Sequence, residues 1–63
     1  MTQTQQVADH LKRHNAITPM EALRRYGIFR LAARINELRK ARISIVTTMV
    51  TRGGKTYARY VVG

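Results

Sequence analysis

The chain has no cysteine, no tryptophan, a single proline, a single phenylalanine and only three acidic residues. Each scarcity excludes something. Without cysteine there is no disulfide staple and no thiolate to hold zinc, so a chain this short must rely on close packing of aliphatic side chains. The same absence suits a reducing cytosolic compartment, nucleoid-associated if the partner is DNA. The three acids, Asp9, Glu21 and Glu37, fall on three separate segments and offer no carboxylate pair for acid–base work. No Ser/His/Asp arrangement is present. Gly53-Gly54 is followed by a strand pattern, so it is not a phosphate-cradling nucleotide loop. No enzymatic activity, cofactor or small-molecule substrate is therefore expected. Apolar runs are two or three residues long, far below the roughly 20 needed to span a bilayer, so neither a signal peptide nor a membrane role is expected.

What the chain does have is positive charge. Twelve Lys and Arg against three acids give a formal charge of +9 in 63 residues. The charge is unevenly spread. Lys12 and Arg13 against Asp9 leave residues 1–20 near neutral. Residues 21–42 set Arg24, Arg25, Arg30, Arg34, Arg39, Lys40 and Arg42 against Glu21 and Glu37. Residues 43–63 carry Arg52, Lys55 and Arg59 with no acid. Such an asymmetry points to a polyanionic partner.

The length fits one domain, residues 1–63. Residues 3–14 read as a helix with Val7, Ala8 and Leu11 on one face, and Asn15 suits its C-terminal end because Asn tolerates positive φ. Thr18-Pro19-Met20-Glu21 is a clean helix start. Thr18 and Glu21 can form a capping box, and Pro19 occupies the first turn, where its missing N–H costs nothing. This second helix runs over about 19–26, burying Met20, Leu23 and Tyr26, and ends at Gly27. A third helix over about 29–41 has the strongest period in the chain. Ile28, Leu31, Ala32, Ile35 and Leu38 form its inner face, and Arg30, Ala33, Arg34, Glu37, Lys40 and Ala41 its outer face. The period then switches to two. Strands over about 43–52 and 55–62 flank Gly53-Gly54, a two-residue hairpin signal. Closing the hairpin there pairs Ile45 with Val62, Thr47 with Tyr60, Met49 with Ala58 and Thr51 with Thr56 on the expected core face. Ile17 can add a short third strand. The order of helix, helix, turn, helix and hairpin predicts an α+β, mainly helical fold: a winged helix-turn-helix with the hairpin as its wing.

In such a fold the third helix enters the major groove of double-stranded DNA, which admits one α-helix. Arg30 and Arg34 are candidates for bidentate bonds to guanine, Ala33 for close approach to a thymine methyl, and Asn36 for adenine. Glu37 either accepts from cytosine or pairs with Arg34 and Lys40, the pairing being favoured. Thr18, Arg24, Arg25, Arg39, Lys40, Arg52, Lys55 and Arg59 are candidates for the DNA backbone, the last three at or near the wing tip. Val46, Val50, Tyr57 and Val61 make a small apolar patch on the outer sheet face, a candidate protein contact or dimer surface. His10 and His14 are four apart, but no third ligand accompanies them, so they read as a helix-surface pair and no metal site is expected. Specific nanomolar binding by so small a unit would call for a homodimer or a cooperative array.

The run from Ile17 to Leu23, with Tyr26-Gly27-Ile28 and the stretch Leu31 to Lys40, resembles a family of short helix-turn-helix proteins of bacteriophages and prophages. That family has an "ITPLEAL…GI.RLAARI..LR" pattern followed by a small hairpin wing. The resemblance spans about Thr2 to Val62. It implies a winged-helix fold and DNA binding by a small regulator of transcription. An excisionase-like architectural protein, or a module that inhibits a host factor, is the alternative. The family tends to carry a Gly just after the third helix, where this chain has Ala41-Arg42.

Overall fold

The computed structural model describes residues 1–63. Three helices, α1 (Gln3–His14), α2 (Pro19–Tyr26) and α3 (Leu31–Lys40), combine with strands β1 (Ala16–Ile17), β2 (Ile45–Arg52) and β3 (Lys55–Val62). The strands form an antiparallel sheet in the order β1-β3-β2. The hairpin register runs from Arg52 opposite Lys55 to Ile45 opposite Val62. Gly53 (φ 58°) and Gly54 (φ 77°) are both left-handed, as the twist-matched two-residue turn requires.

Local chemistry explains the helix starts. Thr2 accepts from the Gln5 N–H (3.1 Å) while Gln5 accepts from the Thr2 N–H (2.8 Å). Thr18 and Glu21 repeat the exchange at 3.2 and 3.1 Å. Each reciprocal pair satisfies two otherwise orphaned N–H groups. The third helix has no such device: Arg30 stands at its N-cap with φ −108° and ψ 63° and makes no side-chain cap bond.

All three helices stop through a left-handed residue. Asn15 (φ 64°) and Gly27 (φ 66°) end α1 and α2, and Arg42 (φ 66°) follows the Ala41 cap of α3. Beyond α3 the Arg42 N–H donates to Arg39 O (3.0 Å) and the Ile43 N–H to Leu38 O (3.1 Å). This is the paired-bond ending normally built on glycine. An arginine thus holds a left-handed conformation that glycine adopts at less steric cost.

The core is Val7, Leu11, Ile17, Ala22, Ile28, Leu31, Ile35, Leu38 and Ile45, with Ala8, Tyr26 and Tyr60 packed against it. It departs from the sequence pattern in several places. Helix α3 begins at Leu31 rather than Phe29. Ile28 is buried, but it reaches the core from the bend after Gly27 and not from a helical turn. Ala32, expected inside, is exposed, because the buried arc of α3 is narrow and runs through Leu31, Ile35 and Leu38. In α2, Met20 and Leu23 are 56% and 39% exposed, while Ala22 is fully buried. Strand β2 begins at Ile45, not residue 43. On the expected core face of the hairpin only the base is covered. Ile45 is buried and Tyr60 and Ala58 are half-buried, but Thr47, Met49, Thr51, Thr56 and Val62 are exposed.

The rotation of α2 has a physical cause. His10 of α1, read as a surface residue in the sequence, is buried, and its Nδ1 lies 2.8 Å from the Tyr26 hydroxyl. The rings meet edge to face at 5.6 Å. Bringing Tyr26 to His10 turns Ala22 inward and Met20 and Leu23 outward. The signal was present: Val7, His10, Leu11 and His14 are spaced 3, 1 and 3, a helical face. Burial pushes the His10 imidazole below its ordinary value of 6.5. Glu21, whose Oε2 is 3.9 Å from Nε2, opposes the shift, and His14 and Arg25 reinforce it. The buried Nε2 has no hydrogen-bond partner.

Candidate nucleic-acid interface

The outward arc of α3 follows from its buried arc. With Leu31, Ile35 and Leu38 inside, the opposite side carries Ala33, Asn36, Glu37 and Lys40, flanked by Ala32 and Arg39 on one side and Arg34 on the other. Asn36 and Lys40 are exposed and make no side-chain hydrogen bond or ion pair. Ala33, one turn before Asn36, is half-buried, so the helix presents little bulk there.

The two arginines proposed from the sequence as base readers occupy different settings. Arg30 lies outside the helix, at its N-cap, exposed and unpaired. Arg34 is turned toward α1. Its side chain is only 29% exposed and pairs with Glu37 at 2.8 Å. It also donates to Gln3 Oε1 at 3.4 Å, and its Nε is buried without a partner. Glu37 in turn accepts from Thr4 Oγ1 at 2.9 Å. Of the two pairings read for Glu37, the structure shows the one with Arg34 and not the one with Lys40. Arg34 and Glu37 together tie the N-terminal turn of α1 to the middle of α3.

Arg39, assigned to the DNA backbone from the sequence, is engaged inside the molecule. Its Nε and Nη2 both donate to Ile45 O, at 3.2 and 2.9 Å, and Nη2 also donates to Thr47 Oγ1 at 2.9 Å. Three bonds from one planar guanidinium fasten the start of β2 to the last turn of α3. Helical periodicity alone cannot see this, because the acceptors lie in the next element.

Other basic side chains converge. Arg24 of α2 and Arg52 and Lys55 of the wing line one cleft of about 580 Å³ with Thr18, Pro19, Met20, Thr56 and Tyr57. No acidic residue lines it. That α2 and the wing tip share a wall is invisible to the periodicity of either element. Thr18 is half-buried there and serves its cap. Arg25 and Arg59 are exposed elsewhere on α2 and β3. In the apolar set, Val46 is 53% exposed and Val50 and Val61 are half-buried, whereas Tyr57 takes part in the basic cleft. No helix is long and apolar enough to cross a membrane.

Comparison with known proteins agrees with the architecture. A family model described as a winged helix-turn-helix domain matches residues 2–63. No curated protein and no solved structure matches the chain.

Proposed function

The chain belongs to the winged helix-turn-helix domain family, and we propose that it is a sequence-specific reader of double-stranded DNA acting as a small regulator of transcription. The observation that carries this reading is the convergence of Arg24, Arg52 and Lys55 on one acid-free cleft, on a chain of charge +9. Three exposed cations line this cleft with no acidic side chain among its walls. A run of phosphates bound there would be neutralised by them and release its counterions. In this reading the cleft grips the backbone, and the outward arc of α3 enters the major groove. Asn36 pairs with adenine N6 and N7, and Ala33 admits close approach. Arg30 reaches guanine or a phosphate from the mouth of the helix. Lys40, Arg25 and Arg59 add backbone contacts.

Compared with expectation from the sequence, the weight of readout moves from Arg34 to Asn36. Arg34 can bond to a base only by releasing Glu37 and Gln3.

The test is selection of bound duplexes from a random library at about 150 mM salt, where non-specific affinity has largely faded. An enriched motif is expected, and its symmetry reports whether one copy, a dimer or an array binds. Asn36→Ala should cost about 1–3 kcal/mol on that motif and relax one base position. Binding seen only at low salt, with no enrichment, would remove sequence-specific readout and leave an architectural or protein-directed role.

A further inference from the structure

Phe29 is the only phenylalanine of the chain and its most exposed large apolar side chain, at 87%. Nothing in the packing of the domain uses it. Its neighbour Ile28 is 1% exposed and pins the bend, which leaves the next side chain pointing outward. Arg30, the N-cap of α3, follows it directly and is also exposed. A free phenyl ring therefore stands at the N-terminal mouth of the helix, on a segment whose charged neighbours are basic.

We propose that Phe29 contacts the C5-methyl group of a thymine, and so specifies an A·T pair at the edge of the site read by α3. The proposal rests on the DNA-binding reading above and goes beyond it by assigning a residue and a base. Three points support it. The thymine methyl is the one apolar group that base edges offer in the major groove, and an aromatic ring is a suitable partner for it. The N-terminal residues of a recognition helix are those that approach base edges. The contact also withdraws from water a ring of a class that buries about 150–250 Å² when covered. A protein partner is the less suited occupant, since the exposed Arg30 next to the ring would have to be neutralised in the contact.

The experiment uses the duplex enriched by the selection, resynthesised with uracil in place of each thymine in turn, which deletes one methyl group and nothing else. Binding of the full chain and of Phe29→Ala is followed by fluorescence anisotropy. At one thymine position, uracil should weaken the full chain about fourfold, the worth of one buried methyl-sized group. At that position Phe29→Ala should bind thymine and uracil duplexes equally, and its thermal unfolding should match that of the full chain. Discrimination that persists in Phe29→Ala, or affinity lost equally on both duplexes as for a ring wedged between bases, would overturn the assignment while leaving DNA binding intact. Failure of the full chain to enrich any duplex would remove the sequence-specific reading, and this assignment with it.

Discussion

The helical body and the hairpin are held by different forces. Of 11 buried residues, ten lie between Val7 and Leu38, and one, Ile45, lies in the hairpin. The body is a packed core of aliphatic side chains around the His10–Tyr26 contact. Beyond its base the wing rests on its ladder of backbone bonds, the Thr51–Thr56 hydroxyl contact at 3.1 Å and cross-strand pairs such as Val50 with Tyr57. The joint between the two is polar: the Arg39 guanidinium and the left-handed Arg42. Stability is thus concentrated in the body, while the wing carries Arg52, Lys55 and Arg59 with no acidic residue and almost no buried surface. Substitutions in the body should act on folding, and substitutions at the wing tip on binding.

The largest expected effect is in the body. Ile35→Ala, at a fully buried position, should cost about 2–5 kcal/mol, comparable with the whole stability of so small a domain, and leave the chain largely unfolded in urea titration. A loss under 1 kcal/mol would mean that the core is looser than its burial implies.

Next comes the buried polar contact. Tyr26→Phe strips His10 Nδ1 of its partner and should destabilise by about 1–3 kcal/mol. The same histidine makes the body sensitive to pH. Its folded-state pKa lies below its unfolded value of about 6.5, so the unfolded chain binds the extra proton. Its contribution is complete above that value and is lost as pH falls through it toward the folded value. Thermal unfolding midpoints should therefore drop between pH 7.5 and pH 5, and His10→Leu should flatten that dependence.

At the joint, Arg42→Gly should stabilise by about 0.5–1 kcal/mol, because glycine accepts φ 66° without the steric cost an arginine bears. Chemical denaturation would read the gain, and a loss would show that the Arg42 side chain contributes more than its backbone costs.

At the wing tip, Lys55→Ala should leave stability within about 0.5 kcal/mol. Its effect should fall on DNA, weakening all sequences alike and reducing the slope of log affinity against log salt by about 0.9. A comparable loss of stability would erase the division between body and wing.

Much of this molecule is legible in the sequence, and the illegible part has a common character. The capping box at Thr18 and Glu21, the glycine turn at Gly27 and the hairpin at Gly53-Gly54 are local devices. Each is decided by residues within four positions of one another, so the order of elements and the winged architecture follow from reading along the chain. Rotations of the helices about their own axes do not. Met20 and Leu23 against Ala22, and Ala32 against Ile35, are comparable choices on periodicity alone. The choice in α2 is made by His10, sixteen residues before Tyr26. The fate of individual arginines is also tertiary. Arg34, Arg39 and Arg24 are alike in sequence. One is taken by Glu37 and Gln3 and one by Ile45 O and Thr47, while the third is left to share a cleft with the wing. A long cationic side chain finds its partner through space, so composition and spacing determined that this chain carries a basic helix-turn-helix with a wing. Only the packing of α1 and β2 on either flank of α3 decided which of its cations remain free to meet a phosphate or a base.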